Sequence, residues 1–244
     1  NRSPELLSRY LLASIFLLQG KRDMAAVQLR QMLGAGEPES AQAEDLRRVG
    51  TLYARMGDIR SAREILRKLE GLSAAVPTAF NRSCYDNVAG EVALAEGNTK
   101  QAADMFSAAL AVYPRFMSHE GLAHAYQAEQ DLSRSAAEWN QVLQAKGEIL
   151  QDASPADWLT AHLQLARVYR HSGDLAQARD HYQQFLSAWR EGNDLPVRRQ
   201  ALRERAHRLG PAVGSGDAPR PAAAAAGPPP GPADVFSSSQ PMTR

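Results

Sequence analysis

The feature that most constrains the fold is the stretch 161–186, AHLQLARVYRHSGDLAQARDHYQQFL. Apolar residues recur there at helical spacing on both sides of a Ser-Gly-Asp break, with Leu165 and Tyr169 before it and Ala178 and Tyr182 after it. This pattern predicts two helices joined by a tight turn. Because such a hairpin cannot cover its own apolar face, the pattern also predicts copies of the hairpin stacked alongside.

Four further copies align with this stretch on the residue at the turn. The five turn residues are separated by 37, 40, 33 and 43 positions, which fits a unit of about 34 residues with inserted linkers. They are Gly20, Gly57, Gly97, Gln130 and Gly173. A small residue recurs on the first helix of each copy, at Ala13, Gly50, Gly90, Ala123 and Ala166. Another recurs on the second helix, at Ala25, Ala62, Ala102, Ser135 and Ala178. Small residues at these positions allow two helices to approach closely.

This pattern of small and large positions resembles the tetratricopeptide repeat. The resemblance implies an all-α fold, a right-handed superhelical solenoid of about five helix pairs with a C-terminal capping helix. We expect the repeat domain to cover residues 4–209, and the fourth unit departs from the family at Gln130 and Ser135. The predicted units are about 6–39, 43–76, 83–116, 116–149 and 159–192, with the cap at 196–209.

The two ends of the chain differ from the repeats in composition. Residues 210–244 are rich in Pro, Ala, Gly and Ser and predict a disordered tail, in which Val235-Phe236 is either a docking motif or incidental. The apolar run 10–18, YLLASIFLL, is too short to span a bilayer, which takes roughly 20 residues. It predicts a buried helix, and because that helix is apolar nearly all round we expect an element upstream of this chain to pack on it.

The sequence shows no pattern typical of catalysis or of cofactor binding. It lacks phosphate-binding glycine loops and a nucleophile elbow, and its single Cys84 cannot form an internal disulfide. His119 and His124 are five residues apart, so on a helix they point about 140° apart and cannot share a metal ion. A net charge of +1 gives no argument for nucleic acid. We therefore expect no catalytic residue, no metal and no cofactor.

The resemblance also implies a binding surface. In tetratricopeptide arrays the first helices line a concave groove, and bound peptides contact the fifth, ninth and twelfth positions of the unit. The candidates at or near these positions are Arg47, Thr51, Asn87, Glu91, Glu120, His124, Gln127, Arg167 and Arg170. The lysine and asparagine set that grips a peptide carboxylate in chaperone-binding members is not reproduced, so we expect a different protein or peptide partner, or other domains of the same polypeptide.

A longer resemblance covers residues 136–209. The run His162–Arg167 and the pattern from Phe185 to Trp189, followed by Asp194-Leu195-Pro196, are similar to the C-terminal repeats of bacterial serine/threonine kinases and winged-helix regulators. The resemblance implies a docking or sensory segment of a larger bacterial signalling protein. The alternatives are the regulatory region of a kinase or transcription regulator, or an envelope assembly factor. Localisation is open between the cytoplasm and, with a spanning helix upstream, the periplasm.

Overall fold

A computed structural model describes residues 4–33, 39–151, 155–188 and 196–209, and these residues form twelve helices and no strand. The predicted tail 210–244, with Val235 and Phe236, lies outside the described residues. The helices are α1 (Pro4–Leu18), α2 (Arg22–Met32), α3 (Glu39–Arg55), α4 (Ile59–Ala75), α5 (Ala79–Ala95), α6 (Thr99–Val112), α7 (Phe116–Ala128), α8 (Leu132–Gln144), α9 (Lys146–Gln151), α10 (Pro155–Ser172), α11 (Leu175–Ala188) and α12 (Pro196–Leu209).

Ten of these helices form five antiparallel hairpins that stack into a solenoid: α1 with α2, α3 with α4, α5 with α6, α7 with α8, and α10 with α11. Each hairpin packs on the preceding one. Thus α3 contacts α1 and α2, α5 contacts α3 and α4, α7 contacts α5 and α6, and α10 contacts α8. The buried core continues along the stack in four clusters of apolar residues. The fold class predicted from the sequence is confirmed.

The five turns predicted from the sequence share one backbone conformation. Gly20, Gly57, Gly97 and Gly173 have φ between 75° and 87°, and Gln130 has φ 63°. The first four turns also share a pair of hydrogen bonds that closes the preceding helix. In the second hairpin, the amide of Asp58 donates to the carbonyl of Tyr53 while the amide of Gly57 donates to that of Ala54. Glycine suits this position because it adopts positive φ without a steric penalty.

The small residues lie where two helices approach most closely. A β-carbon added to Gly90 on α5 would lie 2.7 Å from the ring of Phe106 on α6. Each of the five small residues of the second helices is fully buried. Ser135, which replaces alanine in the fourth unit, donates its hydroxyl hydrogen to the carbonyl of Ala123 at 2.9 Å, so the polar group is satisfied at the contact.

The short helix α9 stands between the fourth and fifth hairpins and was not predicted. In the predicted helix 10–18, Ala13 is fully buried, whereas Leu12 and Ile15 on the outer face are each 43% exposed within this chain. At the other end, α12 closes the stack and buries Ala201 against the fifth hairpin. Within the described residues, no helix combines the length and the apolar character needed to cross a bilayer.

Candidate functional site

The first helices of the five hairpins surround a cavity of about 460 Å³ on the inner side of the solenoid. Its wall extends from Tyr10 and Ser14 on α1, through α3, α5 and α7, to Thr160 and Gln164 on α10. Two residues of second helices also line this wall, Arg22 on α2 and Trp139 on α8. The cavity is therefore built by the whole stack and by no single repeat.

Six of the nine sequence candidates line this cavity: Arg47, Thr51, Asn87, Glu91, Glu120 and His124. Gln127, Arg167 and Arg170 do not line it. The wall residues missed by the sequence argument include Arg55 on α3 and several residues of α1 and of the first half of α10. The repeat frame, which is the alignment of the five copies on their turn residues, could have predicted the wall residues of α1. Tyr10, Ser14 and Leu17 occupy the same repeat positions as Arg47, Thr51 and Ala54. On α10 the repeat positions do not predict the wall, because Asp157, Thr160 and Gln164 line the cavity while Arg167 and Arg170 do not.

An ion-pair bridge crosses the cavity wall between three helices. The guanidinium of Arg55 on α3 lies 2.6 Å from Glu91 on α5 and 2.8 Å from Glu120 on α7. Both glutamates are buried, at 5% and 7% exposure. Burial alone would raise the pKa of Glu120, but Arg55 and His124 lower it below its usual range. The pKa of His124 is lowered by burial and by Arg55, so this imidazole is neutral at pH 7.

A second charged cluster holds Arg47 in place. Glu44 on α3 is 2% exposed and accepts hydrogen bonds from Arg47, with the shortest contact at 2.7 Å. Arg48 and Arg115 lie 3.4 Å and 3.5 Å from the same carboxylate. Burial opposes ionisation of Glu44, yet the three arginines lower its pKa to about 2. Arg47 therefore reaches the cavity with its charge already compensated.

The groove candidate Arg167 does not present an open charge. The guanidinium of Arg167 donates to both carboxylate oxygens of Glu204 on α12, at 2.9 Å and 3.1 Å. Tyr182 donates its hydroxyl hydrogen to the same carboxylate at 3.1 Å. Arg167 thus attaches the capping helix to the fifth hairpin. Arg170 is half-buried and lies outside the cavity wall.

The remaining reactive side chains are held in structural contacts. His119 lies 2.6 Å from Glu138, and His162 lies 3.0 Å from His181. Over the described part of the chain, no three His, Cys, Asp or Glu side chains are close enough to hold a metal ion. Cys84 is buried, and burial together with Glu44 raises the pKa of its thiol to about 12. The thiol is therefore protonated at neutral pH.

Residues 160–191 match the family model of the tetratricopeptide repeat. The fold is a tetratricopeptide-repeat solenoid. The match lies on the fifth hairpin, and the four preceding hairpins repeat its small residues and its turn. Tetratricopeptide repeats are protein-protein interaction modules and are generally non-catalytic. No curated protein is significantly similar in sequence to this chain.

Solved structures share this architecture at low sequence identity. The APC/C hetero-tetramer Cut9-Hcn1 aligns at TM-score 0.50 and 18% identity, over 79% of this chain and 34% of that one. A putative kinesin light chain with tetratricopeptide-like repeats from Podospora anserina aligns at 0.45 and 19%, over 75% and 94%. MamA from Desulfovibrio magneticus RS-1 aligns at 0.45 and 16%, over 80% and 100%. At this identity the first alignment shows the fold alone.

Proposed function

We propose that this chain is a non-catalytic protein-binding module whose central cavity holds a segment of a partner protein in an extended conformation. The observation that carries the proposal is the convergence of the first helices of all five hairpins on one cavity. Such a cavity presents side chains from five helices to one ligand, so recognition depends on the assembled stack.

The extent of the cavity wall suits an extended ligand. The wall runs from Tyr10 on α1 to Gln164 on α10 and includes residues of all five first helices. An extended segment is narrow, and its alternating side chains reach opposite walls of the cavity.

The charge of the wall supports a ligand of low net charge. Three arginines, Arg22, Arg47 and Arg55, line the cavity with three acids, Glu91, Glu120 and Asp157. Arg47 is paired with Glu44, and Arg55 is paired with both glutamates of the wall. The neutral polar groups of Ser14, Thr51, Thr160 and Gln164 complete the wall. This balance favours shape and hydrogen bonding over recognition of a charged tail.

The proposal can be tested by filling the cavity. Peptides are first selected against the wild-type chain from a phage-displayed library of short random sequences, and their affinities are measured by fluorescence anisotropy. Ser14→Trp and Gln164→Trp place an indole in the cavity from opposite ends and should weaken binding more than about tenfold, a loss of about 1.4 kcal/mol. Gln101→Trp, on the exposed face of α6, is the matched control and should leave the affinity unchanged.

Two outcomes would contradict the proposal. The first is that no peptide is selected by the folded chain. The second is that the selected peptides bind both cavity variants as tightly as the wild type. Selected peptides should also tolerate a central proline, which breaks an α-helix but fits an extended chain.

We further propose that the module is the docking or sensory segment of a larger bacterial signalling protein. The support is the resemblance of residues 136–209 to the repeats that follow kinase or winged-helix domains. The deciding observation is the coding sequence upstream of Asn1. A glycine-rich loop, a strand lysine and an H-R-D segment would make the module part of a kinase, whereas a basic recognition helix would make it part of a transcription regulator.

A further inference from the structure

The ion-pair bridge in the cavity wall contains one more acid than base. Arg55 supplies one guanidinium to the two carboxylates of Glu91 and Glu120, so the bridge carries an excess of one negative charge. His124 lies 4.0 Å from Glu120 and does not remove the excess, because its imidazole is neutral at pH 7. Both glutamates are buried, and a buried charge without a partner is unfavourable. The wall therefore holds an acid that a bound cation would stabilise.

The other arginines of the wall do not supply that cation. Arg47 belongs to a cluster in which three arginines meet three acids of the described residues at 3.6 Å or less. The pairs are Arg47 with Glu44, Arg48 with Asp45, and Arg115 with Glu148. Arg22 is exposed and forms no ion pair with either glutamate of the bridge. The excess charge of the bridge is thus not neutralised by direct contact within the wall.

Each glutamate of the bridge also has an unused oxygen. The guanidinium of Arg55 donates only to Oε1 of Glu91, at 2.6 Å and 3.0 Å, and only to Oε1 of Glu120, at 2.8 Å. The Oε2 atom of each accepts no hydrogen bond from the described residues and is not enclosed by protein. Both side chains line the cavity while their residues are only 5% and 7% exposed. A donor held in the cavity can therefore reach these two oxygens.

Apolar side chains stand beside the two acids. Leu94 follows Glu91 by one helical turn, Met117 precedes Glu120 by one turn, and both line the cavity. The buried indole of Trp139 also lines it, with its ring 4.8 Å from that of His124. Lysine and arginine combine an apolar stem with a charged end, so these surroundings fit a basic side chain better than a bare ion.

We propose that the cavity selects partner segments that carry one lysine or arginine, whose cation contacts the free carboxylate oxygens beside Arg55. This inference rests on the proposed function and adds to it the chemistry of the side chain that is recognised. One basic residue is compatible with a segment of low net charge. The cation would form charge-assisted hydrogen bonds with Glu91 and Glu120, while its stem packs on Leu94 and Met117.

The test uses the peptides selected against the wild-type chain, each synthesised also with norleucine in place of its basic residue. Norleucine keeps an apolar stem without the charge and should weaken binding to the wild type by more than about tenfold. With Glu120→Gln the two peptides should bind about equally. This variant keeps an oxygen for Arg55 and removes the excess charge, so its Tm should not fall. Glu96→Gln is the matched control, because Glu96 pairs with Arg63 at 2.6 Å outside the cavity wall, and should discriminate like the wild type.

The outcomes separate this inference from the function on which it rests. If the folded chain selects no peptide, both are wrong. Selected peptides without a basic residue at a common position, or with equal affinity after norleucine replacement, would overturn this inference alone. The same holds if Glu120→Gln weakens both peptides by the same factor. Isothermal titration with putrescine tests a small amine as the source of the cation, and putrescine binding as tight as that of the peptides would overturn recognition of a partner side chain.

Discussion

Arg55 and Glu120 are 65 residues apart in the sequence and form an ion pair of 2.8 Å inside the solenoid. The same guanidinium holds Glu91 from the helix between them. One arginine therefore connects three successive first helices at the wall of the cavity. The shape of the cavity and the stability of the stack depend on a common set of contacts.

Replacing Arg55 by methionine should destabilise the fold. Methionine keeps the length of the side chain but leaves Glu91 and Glu120 buried without a cation, at a cost of about 3 kcal/mol. The free energy of unfolding from urea denaturation measures this loss. Arg60→Met removes an exposed pair with Glu64, in which the arginine side chain is 91% exposed, and should cost less than about 0.5 kcal/mol.

The triple variant Arg55→Met, Glu91→Gln, Glu120→Gln tests the reason for that loss. It removes the unpaired charges together with the arginine and should recover most of the stability. If the triple variant is as unstable as Arg55→Met, then packing of the arginine, and not its charge, supports the three helices.

Acid should destabilise the fold through Glu44. The pKa of this carboxyl is about 2 in the folded chain against an ordinary value of 4.5, so between these values the unfolded chain binds the proton and the folded chain does not. Stability contributed by Glu44 is thus complete above about pH 5 and is lost progressively as the pH falls towards about 2. Urea denaturation at a series of pH values measures how steeply the free energy of unfolding changes with pH.

Glu44→Gln should lower the free energy of unfolding at pH 7 by about 3 kcal/mol, because three arginines lose their shared carboxylate. The variant should also show a weaker dependence of that free energy on pH below about pH 5. Glu70→Gln, at an exposed position of α4, should leave both stability and slope as in the wild type. A wild-type slope in Glu44→Gln would mean that other carboxyl groups cause the acid sensitivity.

Replacement by alanine should change the stability in opposite directions at a buried helical glycine and at an exposed one. Gly121 on α7 lies against the ring of Phe106, with no room for a β-carbon, whereas Gly71 on α4 has no neighbouring atom within 4 Å of the added carbon. Gly121→Ala should destabilise by about 1 to 3 kcal/mol through overpacking. Gly71→Ala should stabilise by up to about 1 kcal/mol through helix propensity. Thermal melting of both variants checks the pair, and equal shifts would contradict the close approach of α6 and α7.

The repeat frame was predictable from the sequence because close helix packing requires small residues at fixed positions. The positive φ at all five turns follows from the same frame, including the turn without glycine. The helix α9 was not predictable in this way, since six residues that include Gly147 carry no helical periodicity.

The site was less predictable than the fold. A first-helix position can be assigned to the groove from spacing alone, and six candidates do line the cavity. Their charge state depends on partners that are distant in the sequence. Arg167 is neutralised by Glu204, 37 residues later, and Arg55 by Glu91, 36 residues later. Only the stacked structure shows which arginines have a carboxylate beside them.

Gln130 should be improved by glycine. It is the only residue other than glycine with positive φ in the described ranges, at 63°, and it closes α7 with the same two hydrogen bonds that the glycine turns use. A side chain in this conformation costs about 1 to 2 kcal/mol, partly offset in the unfolded state by the greater freedom of glycine. Gln130→Gly should therefore stabilise the chain by about 0.5 to 1 kcal/mol and raise the Tm by about 1 to 4 °C. Gln101→Gly, in the first turn of α6 and exposed, has the same change of side chain without the strained backbone and should destabilise by up to about 1 kcal/mol. A loss of stability in both variants would show that the fourth turn does not share the conformation of the others in solution.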